Sequence, residues 1–316
     1  MEWSRMEKNQ NKMKIDVVIP VYKSDKVFEK TLKRLENQTL KPERLILINT
    51  ERDFFDETLI QNLSNVEVHH ITKEQFDHGG TRHEGMMMSN AEIVVFMTQD
   101  AIPYDEHLLE NLVKPFGDPQ VAVVYGRQMA DKKKNLLEAF TRTFNYPKES
   151  RKKTKEDLGQ LGIKTFFCSN VCSAYRRTDY EQAGGFSRNT IFNEDMILAS
   201  KFIEMGKAVY YEADAKVWHW HDYSAMEQLH RNFDLAVSQQ KYGGLFLTVK
   251  SESEGIRLVL ATMKYLVKNG KVYLVPKLIW HSGFKWIGYK LGRNYEKLPK
   301  NMILKLTMNK SYWKKD

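Results

Sequence analysis

The sequence predicts an α/β protein: a parallel sheet flanked by helices on both faces, followed by a helical C-terminal extension. Two observations carry this. Short apolar runs alternate with segments of helical period over the first 130 residues, and such alternation gives βαβ units. After Ala225 the alternation stops and only helical patterns remain.

The elements follow in order. Ile15 to Val21 (IDVVIPV) reads as a buried strand. A helix is expected from about Lys26 to Asn37, with Val27, Leu32 and Leu35 on one side. Leu45–Asn49 and Val66–Ile71 are further strands. A glycine pair, Gly79-Gly80, opens a helix expected over His83 to Ser89. Ile93–Met97 is a strand that ends at Thr98-Gln99-Asp100, and a helix from about Glu106 to Pro115 precedes the strand Val121–Gly126. Three polar signals fall at strand ends: Pro20-Val21-Tyr22, Asn49-Thr50 and Thr98-Gln99-Asp100. Ligands of open α/β sheets bind beyond the carboxyl ends of the strands, so their shared position carries more than any one alone. Residues 131–164 are rich in Lys, Glu and Thr and read as a mobile surface loop, a weak helix or a lid. Helices are expected over Met226–Gln240 and Glu254–Lys268.

The 316 residues, 42% hydrophobic and 28% charged, suffice for one large domain and a smaller appendage without a staple. The two cysteines, Cys168 and Cys172, form no zinc pattern and read as free thiols in a reducing compartment. The polar start, residues 1–14, lacks the apolar core of a signal peptide, and no apolar run is long enough to span a bilayer. The net charge of +9 is uneven. Residues 264–316 carry thirteen Lys and Arg against two Asp and Glu, a net of +11, which leaves −2 for the rest. That asymmetry points to an anionic partner surface, phospholipid or nucleic acid.

Four constellations offer chemistry. Asp100 at a strand end suits a hard divalent cation held against a diphosphate, although Asp there is equally a turn former. Asn193-Glu194-Asp195 opens a helical pattern just after Ala183-Gly184-Gly185-Phe186; acids there complement the helix dipole, and a carboxylate so placed serves as general base on an acceptor hydroxyl. In Trp218-His219-Trp220-His221-Asp222-Tyr223, read as a strand, His219 and His221 face one side as a pair of metal ligands. In Asp77-His78-Gly79-Gly80-Thr81-Arg82 the glycines allow close backbone approach, and Arg82 suits a phosphate.

The order PVY, a glycine-containing TR segment, a strand-end Asp, GGF, an ED pair and a late histidine resembles glycosyltransferase family 2 enzymes of the GT-A fold. FDHGGTRHEG, VVFMTQDAIP, FFCSNVCSAYRR, FNEDM and WHWHDYS resemble its bacterial rhamnosyltransferase branch. The resemblance covers about residues 15–245. It implies a Rossmann-like, mixed and mostly parallel sheet, and residues 246–316, outside it, read from their composition as a basic, aromatic-rich helical region for membrane association, dimerisation or both. It places Pro20, Val21 and Tyr22 beside the nucleotide base and Asn49 at base or ribose. Arg82 and Gln99 fall near the donor, and Asp100 with His219 or His221 on Mn²⁺ or Mg²⁺. Asp195 becomes the catalytic base, with Asn193 and Glu194 on the acceptor side. Thr98 stands where the family's DxD motif has its first Asp, so one carboxylate is missing. The implied activity is an inverting transfer of L-rhamnose from dTDP-L-rhamnose to a lipid-linked saccharide in bacterial surface-polysaccharide synthesis, at the inner face of the plasma membrane. A UDP-hexose donor is the alternative within the family.

Lysines interleaved with Trp280, Trp286 and Tyr289 suit a helix lying on anionic lipid. A nucleic-acid-binding module on the basic tail leaves the Asp100, Asp195 and histidine set without a use. A nucleotidyltransferase needs a phosphate-cradling glycine loop that PVYKSDK lacks.

Overall fold

The computed structural model describes residues 13–246 and 252–314. Most of the polar N-terminal tail, residues 1–12, lies outside the described residues. The chain forms two compact units. The first takes the residues up to 129 together with 146–188 and 195–219; the second takes 130–145, 189–194 and 220 onward.

The first unit is built on a nine-stranded sheet. Its strands are β1 (Ile15–Tyr22), β2 (Arg44–Thr50), β3 (Val66–Ile71), β4 (Ile93–Met97), β5 (Ile102–Pro103), β6 (Val121–Met129), β7 (Arg151–Lys153), β8 (Cys172–Arg176) and β9 (Ala208–Trp218). Their order is β3-β2-β1-β4-β8-β6-β9-β5, with β7 also on β9. The first four strands are parallel, β8 runs antiparallel between β4 and β6, and β6 and β9 are parallel. The mixed sheet expected from the resemblance is therefore present. β1, β2 and β4 are buried on both faces, which is why they read as unbroken apolar runs.

Helix α1 (Lys26–Glu36) starts where the Asp25 carboxylate accepts from the N–H groups of Val27 and Phe28, both at 2.9 Å. Its buried stripe is Phe28, Thr31, Leu32 and Leu35. The expected stripe through Val27 is off by one position: Phe28 starts the i, i+3, i+4, i+7 series, and Val27 faces water. Helix α2 (His78–Met88) begins five residues before the sequence expectation. Asp77 caps it through Gly80 N–H, so the glycine pair is its first turn rather than a loop before it. Gly85 in α2 lies against the Val18 side chain, where a Cβ would collide. Helix α3 (Leu108–Val113) packs Leu108, Leu109 and Leu112 into the core under the sheet.

Residues 131–164, expected as a mobile loop or weak helix, are ordered. They form α4 (Leu136–Asn145), β7 and helical turns at 155–166. The charge run is the reason for the misreading. Lys153 is buried, with Nζ donating to the Lys164 carbonyl at 3.1 Å and the Tyr125 hydroxyl at 3.2 Å, while Lys152 pairs with Asp118 at 2.6 Å. Burial lowers the Lys153 pKa to about 7.

Two further helices complete the first unit, α5 (Arg177–Gln182) and α6 (Glu194–Glu204), the latter opening with a residue of the 189–194 segment. The second unit is helical: α4, α7 (Ala225–Lys241), α8 (Glu252–Lys268), α9 (Val275–Arg293) and α10 (Lys300–Leu306). Helices α7 and α9 touch backbone to backbone. Cβ atoms at Gly288 and Gly292 would strike the Leu229 and Phe233 carbonyl oxygens. Asp234 on α7 holds the last segment, accepting from the Thr307 hydroxyl at 2.6 Å and Met308 N–H at 2.9 Å. Ile191, Phe233, Val237, Ile303, Tyr312 and Trp313 form this unit's own core.

Candidate active site

Parallel strands β1, β2 and β4 end at the same edge of the sheet, and the expected donor residues sit there. Val21 lies beside Asn49, and Tyr22 beside Thr50, in the β1–β2 register. Gln99 spends both ends of its amide on Tyr22: Oε1 accepts from Tyr22 N–H at 2.7 Å, and Nε2 donates to the Tyr22 carbonyl at 3.2 Å. This clip ties the end of β1 to the turn that carries Asp100. Tyr22 and Phe54 form an exposed edge-to-face pair at 5.6 Å, with Lys23 Nζ 5.4 and 5.1 Å from the two ring centres. Asn49 is fully buried; its Nδ2 donates to the Glu51 carbonyl at 3.0 Å and lies 3.0 Å from His70 Nδ1. Glu51 itself takes φ +65°, a strained backbone right after the strand. Arg82, buried in α2, donates from Nη1 to the His78 carbonyl at 2.9 Å.

Asp100 follows β4 by three residues. Its Oδ2 lies 3.5 Å from His219 Nε2. Strand β9 stops at Trp218, so residues 219–224 are irregular and the expected strand over 218–223 is not formed. The same-face argument for the histidines therefore fails, yet the grouping it suggested is present. Asp100, His219 and His221 each offer a ligand atom, all within 4.8 Å of one another. His219 is buried and tied to β6: its N–H donates to the Met129 carbonyl at 2.9 Å, and its Nδ1 lies 2.9 Å from Gln128 Oε1. His221 stacks on Tyr223, with ring centres 4.8 Å apart.

One carboxylate oxygen and two imidazole nitrogens are a mixed donor set that can hold a first-row divalent ion such as Mn²⁺. His219 Nε2 and Asp100 Oδ2 face one another across 3.5 Å, a spacing that suits a shared cation, or an ion pair when the ring is protonated.

The chain enters α6 through Asn193, whose φ of +66° Asn tolerates better than most residues. Glu194, buried, and Asp195 are the first two helical residues, as the sequence suggested. Asp195 Oδ2 accepts from Asn170 N–H at 3.1 Å, and Oδ1 from Met196 N–H at 2.8 Å. Next to Asn170, Val171 presents its carbonyl to Thr98 N–H at 3.1 Å. Asp195 is thus moored one residue from a backbone bond that reaches the Thr98-Gln99-Asp100 turn, and both carboxylates lie at one end of the β4–β8 pair. The Cys168 thiol is pushed up to about 12 by burial and by the nearby Asp195 charge, so it stays protonated. Cys168 and Cys172 are both free and buried.

Sequence reasoning passed over Gln128, Tyr146, Ser169 and Asn170. Asn170 sits inside FFCSNVCSAYRR and was within reach. Gln128 ends an apolar strand without any motif to mark it.

Similarity to known proteins gives the family. Residues 16–184 match the family model described as Glycosyl transferase family 2. The chain is 38% identical over 311 residues to the O-antigen chain rhamnosyltransferase RfbN of Salmonella typhimurium (strain LT2), covering 95% of this chain and 96% of that one. It is 34% identical over 306 residues to the O-antigen chain rhamnosyltransferase WbaN of Salmonella anatum, covering 94% and 95%. Among solved structures it is similar to the mannosyltransferase PcManGT from Pyrobaculum calidifontis in complex with GDP-Man and Mn²⁺, with TM-score 0.60, 14% identity and 94% of each chain covered. That last likeness speaks for the GT-A fold alone. With the family model spanning more than half of the chain and relatives matching nearly all of it, the protein belongs to glycosyltransferase family 2 and is a glycosyltransferase.

Proposed function

We propose that the protein is an inverting, metal-dependent rhamnosyltransferase that moves L-rhamnose from dTDP-L-rhamnose to a lipid-linked saccharide during surface-polysaccharide assembly. The observation that carries the sugar is the 38% identity to an O-antigen chain rhamnosyltransferase along almost the whole chain. The chemistry rests on the two carboxylates at one sheet edge.

Pro20 and Tyr22 receive the nucleotide, Val21 and Asn49 support that surface from behind, and Arg82 favours the diphosphate. The Gln99 clip holds Tyr22 and the Asp100 turn at a fixed spacing. Asp100 and His219, with His221, hold Mn²⁺ or Mg²⁺; the cation, when bound, neutralises charge growing on the departing diphosphate. Asp195 takes the proton from the acceptor hydroxyl while that oxygen bonds to the anomeric carbon, on the face opposite the diphosphate. The C–O bond to the diphosphate breaks in the same displacement, which inverts the anomeric centre. Two backbone N–H groups fix the Asp195 carboxylate for this task. Asn193 and Glu194, next along the chain, border the acceptor side.

A lipid-linked acceptor calls for a protein that reaches the bilayer surface. No helix among the described residues is long and apolar enough to cross a membrane. In the second unit, however, α9 turns Ile279, Trp280, Trp286 and Ile287 to solvent on one face, with Lys277 and Lys290 also exposed. On α8, Ile256, Leu260 and Val267 are exposed beside Arg257, Lys264 and Lys268. Apolar residues flanked by cations suit a headgroup layer of anionic lipid. A second copy would set lysines against lysines, so lipid is the favoured occupant. These exposed apolar and basic residues support a reading in which the enzyme works at the inner membrane face.

A panel of nucleotide sugars with Mn²⁺ and released nucleoside diphosphate as readout tests the donor. Release from dTDP-L-rhamnose above all others is expected. Release from UDP-hexoses only would remove rhamnose and leave the class of reaction.

A further inference from the structure

Gln128 is 2% exposed, near the end of β6, and its carboxamide is hydrogen-bonded to Tyr146, Ser169 and His219. Nε2 donates to the Tyr146 hydroxyl at 2.6 Å and to the Ser169 hydroxyl at 2.8 Å. Its oxygen is left facing His219 Nδ1 at 2.9 Å. A carboxamide oxygen only accepts, so Nδ1 carries a proton, and in the neutral ring the lone pair is then on Nε2. Nε2 is the atom 3.5 Å from Asp100 Oδ2. The backbone bond from His219 N–H to the Met129 carbonyl keeps the ring beside Gln128, because both residues lie at the β6–β9 edge.

We propose that Gln128 is a positioning residue for His219: its amide oxygen holds the imidazole as the Nδ1–H tautomer, with Nε2 aimed at the ion that Asp100 shares. The inference rests on the metal reading above. A flipped amide would set an N–H₂ group against Nδ1, move the ring proton to Nε2 and turn a ligand into a donor pointing at a cation. In the observed orientation the two N–H groups are taken up by the Tyr146 and Ser169 hydroxyls. A neutral amide, unlike a carboxylate, does this without adding charge to a site that must bind and release a charged nucleotide.

Two measurements on the full-length protein test it. The first is the ¹⁵N spectrum of the histidine side chains without metal, with His219→Asn locating the His219 signals. Wild type is expected to show Nδ1–H, and Gln128→Met, which keeps the volume and removes the acceptor, a tautomer mixture. The second is Mn²⁺ affinity from the free-ion electron paramagnetic resonance signal. Gln128→Met is expected to bind about 10–100-fold more weakly. Gln128→Glu, which still accepts from Nδ1–H, is expected to stay within a few-fold of wild type. Should the methionine variant fail to fold, Gln128→Asn, which draws the amide back from the ring, carries the same expectations. Wild-type Mn²⁺ affinity in Gln128→Met, or an unchanged Nδ1–H tautomer, overturns the proposal. Absence of Mn²⁺ binding in wild type sinks the metal reading instead, and the tautomer then judges Gln128 by itself.

Discussion

The two units break the usual partition of residues in opposite directions. In the sheet unit, polar side chains are buried: Asn49, Gln128, Asn170 and His219 are all 6% exposed or less. In the helical unit, large apolar side chains face water: Tyr273 at 70%, Ile256 at 63%, Trp280 and Trp286 at 62%. A buried polar group costs free energy unless it is paired, and an exposed apolar patch marks a surface awaiting a partner. In the proposed reading most of the catalytic residues, Asp100, Asp195 and His219 among them, belong to the first unit and the membrane-facing residues to the second. One holds a polar constellation rigid; the other displays a sticky face.

Perturbing each half separately sharpens this comparison. The largest effect is expected at Asp195. Asp195→Asn should keep the fold and donor binding and lower transfer by about 10²–10⁴-fold, seen in kcat. Retained turnover would remove Asp195 from the role of base. Asp100→Asn comes next, with Mn²⁺ affinity weakened by at least tenfold and donor turnover falling with it, while the melting temperature holds.

The helical unit should answer differently. Gly288→Ala forces a methyl into the Leu229 carbonyl and is expected to cost about 1–3 kcal/mol, seen as a lower denaturation midpoint. Trp280→Ala with Trp286→Ala should leave stability within about 0.5 kcal/mol, since both are exposed. It should nonetheless reduce co-sedimentation with phosphatidylglycerol vesicles, and phosphatidylcholine vesicles should bind neither protein. Equal vesicle binding by wild type and the double variant would erase the contrast between the units.

A further effect, on stability against pH, concerns Lys153. Burial lowers its pKa to about 7, whereas the unfolded chain holds that proton up to about 10.4. Above pH 7 the unfolded state therefore binds more protons, and stability should rise with pH by up to ~1 kcal/mol per unit between 7 and 10. Lys153→Met should flatten that slope, measured by denaturation at pH 6 and 9.

Lys153 also shows where the sequence stops being readable. RKKTKED looks like a solvated charge run, because a buried lysine differs from an exposed one only in its neighbours. Here those are Tyr125 and Phe167, far away in sequence. Strands β1, β2 and β4 were legible because both faces are buried and every position is apolar. Strand β9 (AVYYEADAKVW) went unrecognised since exposed or half-exposed positions interrupt it. The histidine pair was located through a strand that does not exist; two histidines two residues apart stay close even in irregular chain. The partners of the site, Gln128 above all, were illegible because a glutamine in a strand has no spacing to announce it.

A divalent cation at Asp100 and His219, assisting departure of the diphosphate, is the centre of the proposed mechanism. Nucleoside diphosphate release from dTDP-L-rhamnose, measured before and after chelation and again with added Mn²⁺, tests it most directly. Turnover lost on chelation and restored by Mn²⁺ is the expected result. Turnover unchanged by chelation, in protein shown to be metal-free, would contradict it.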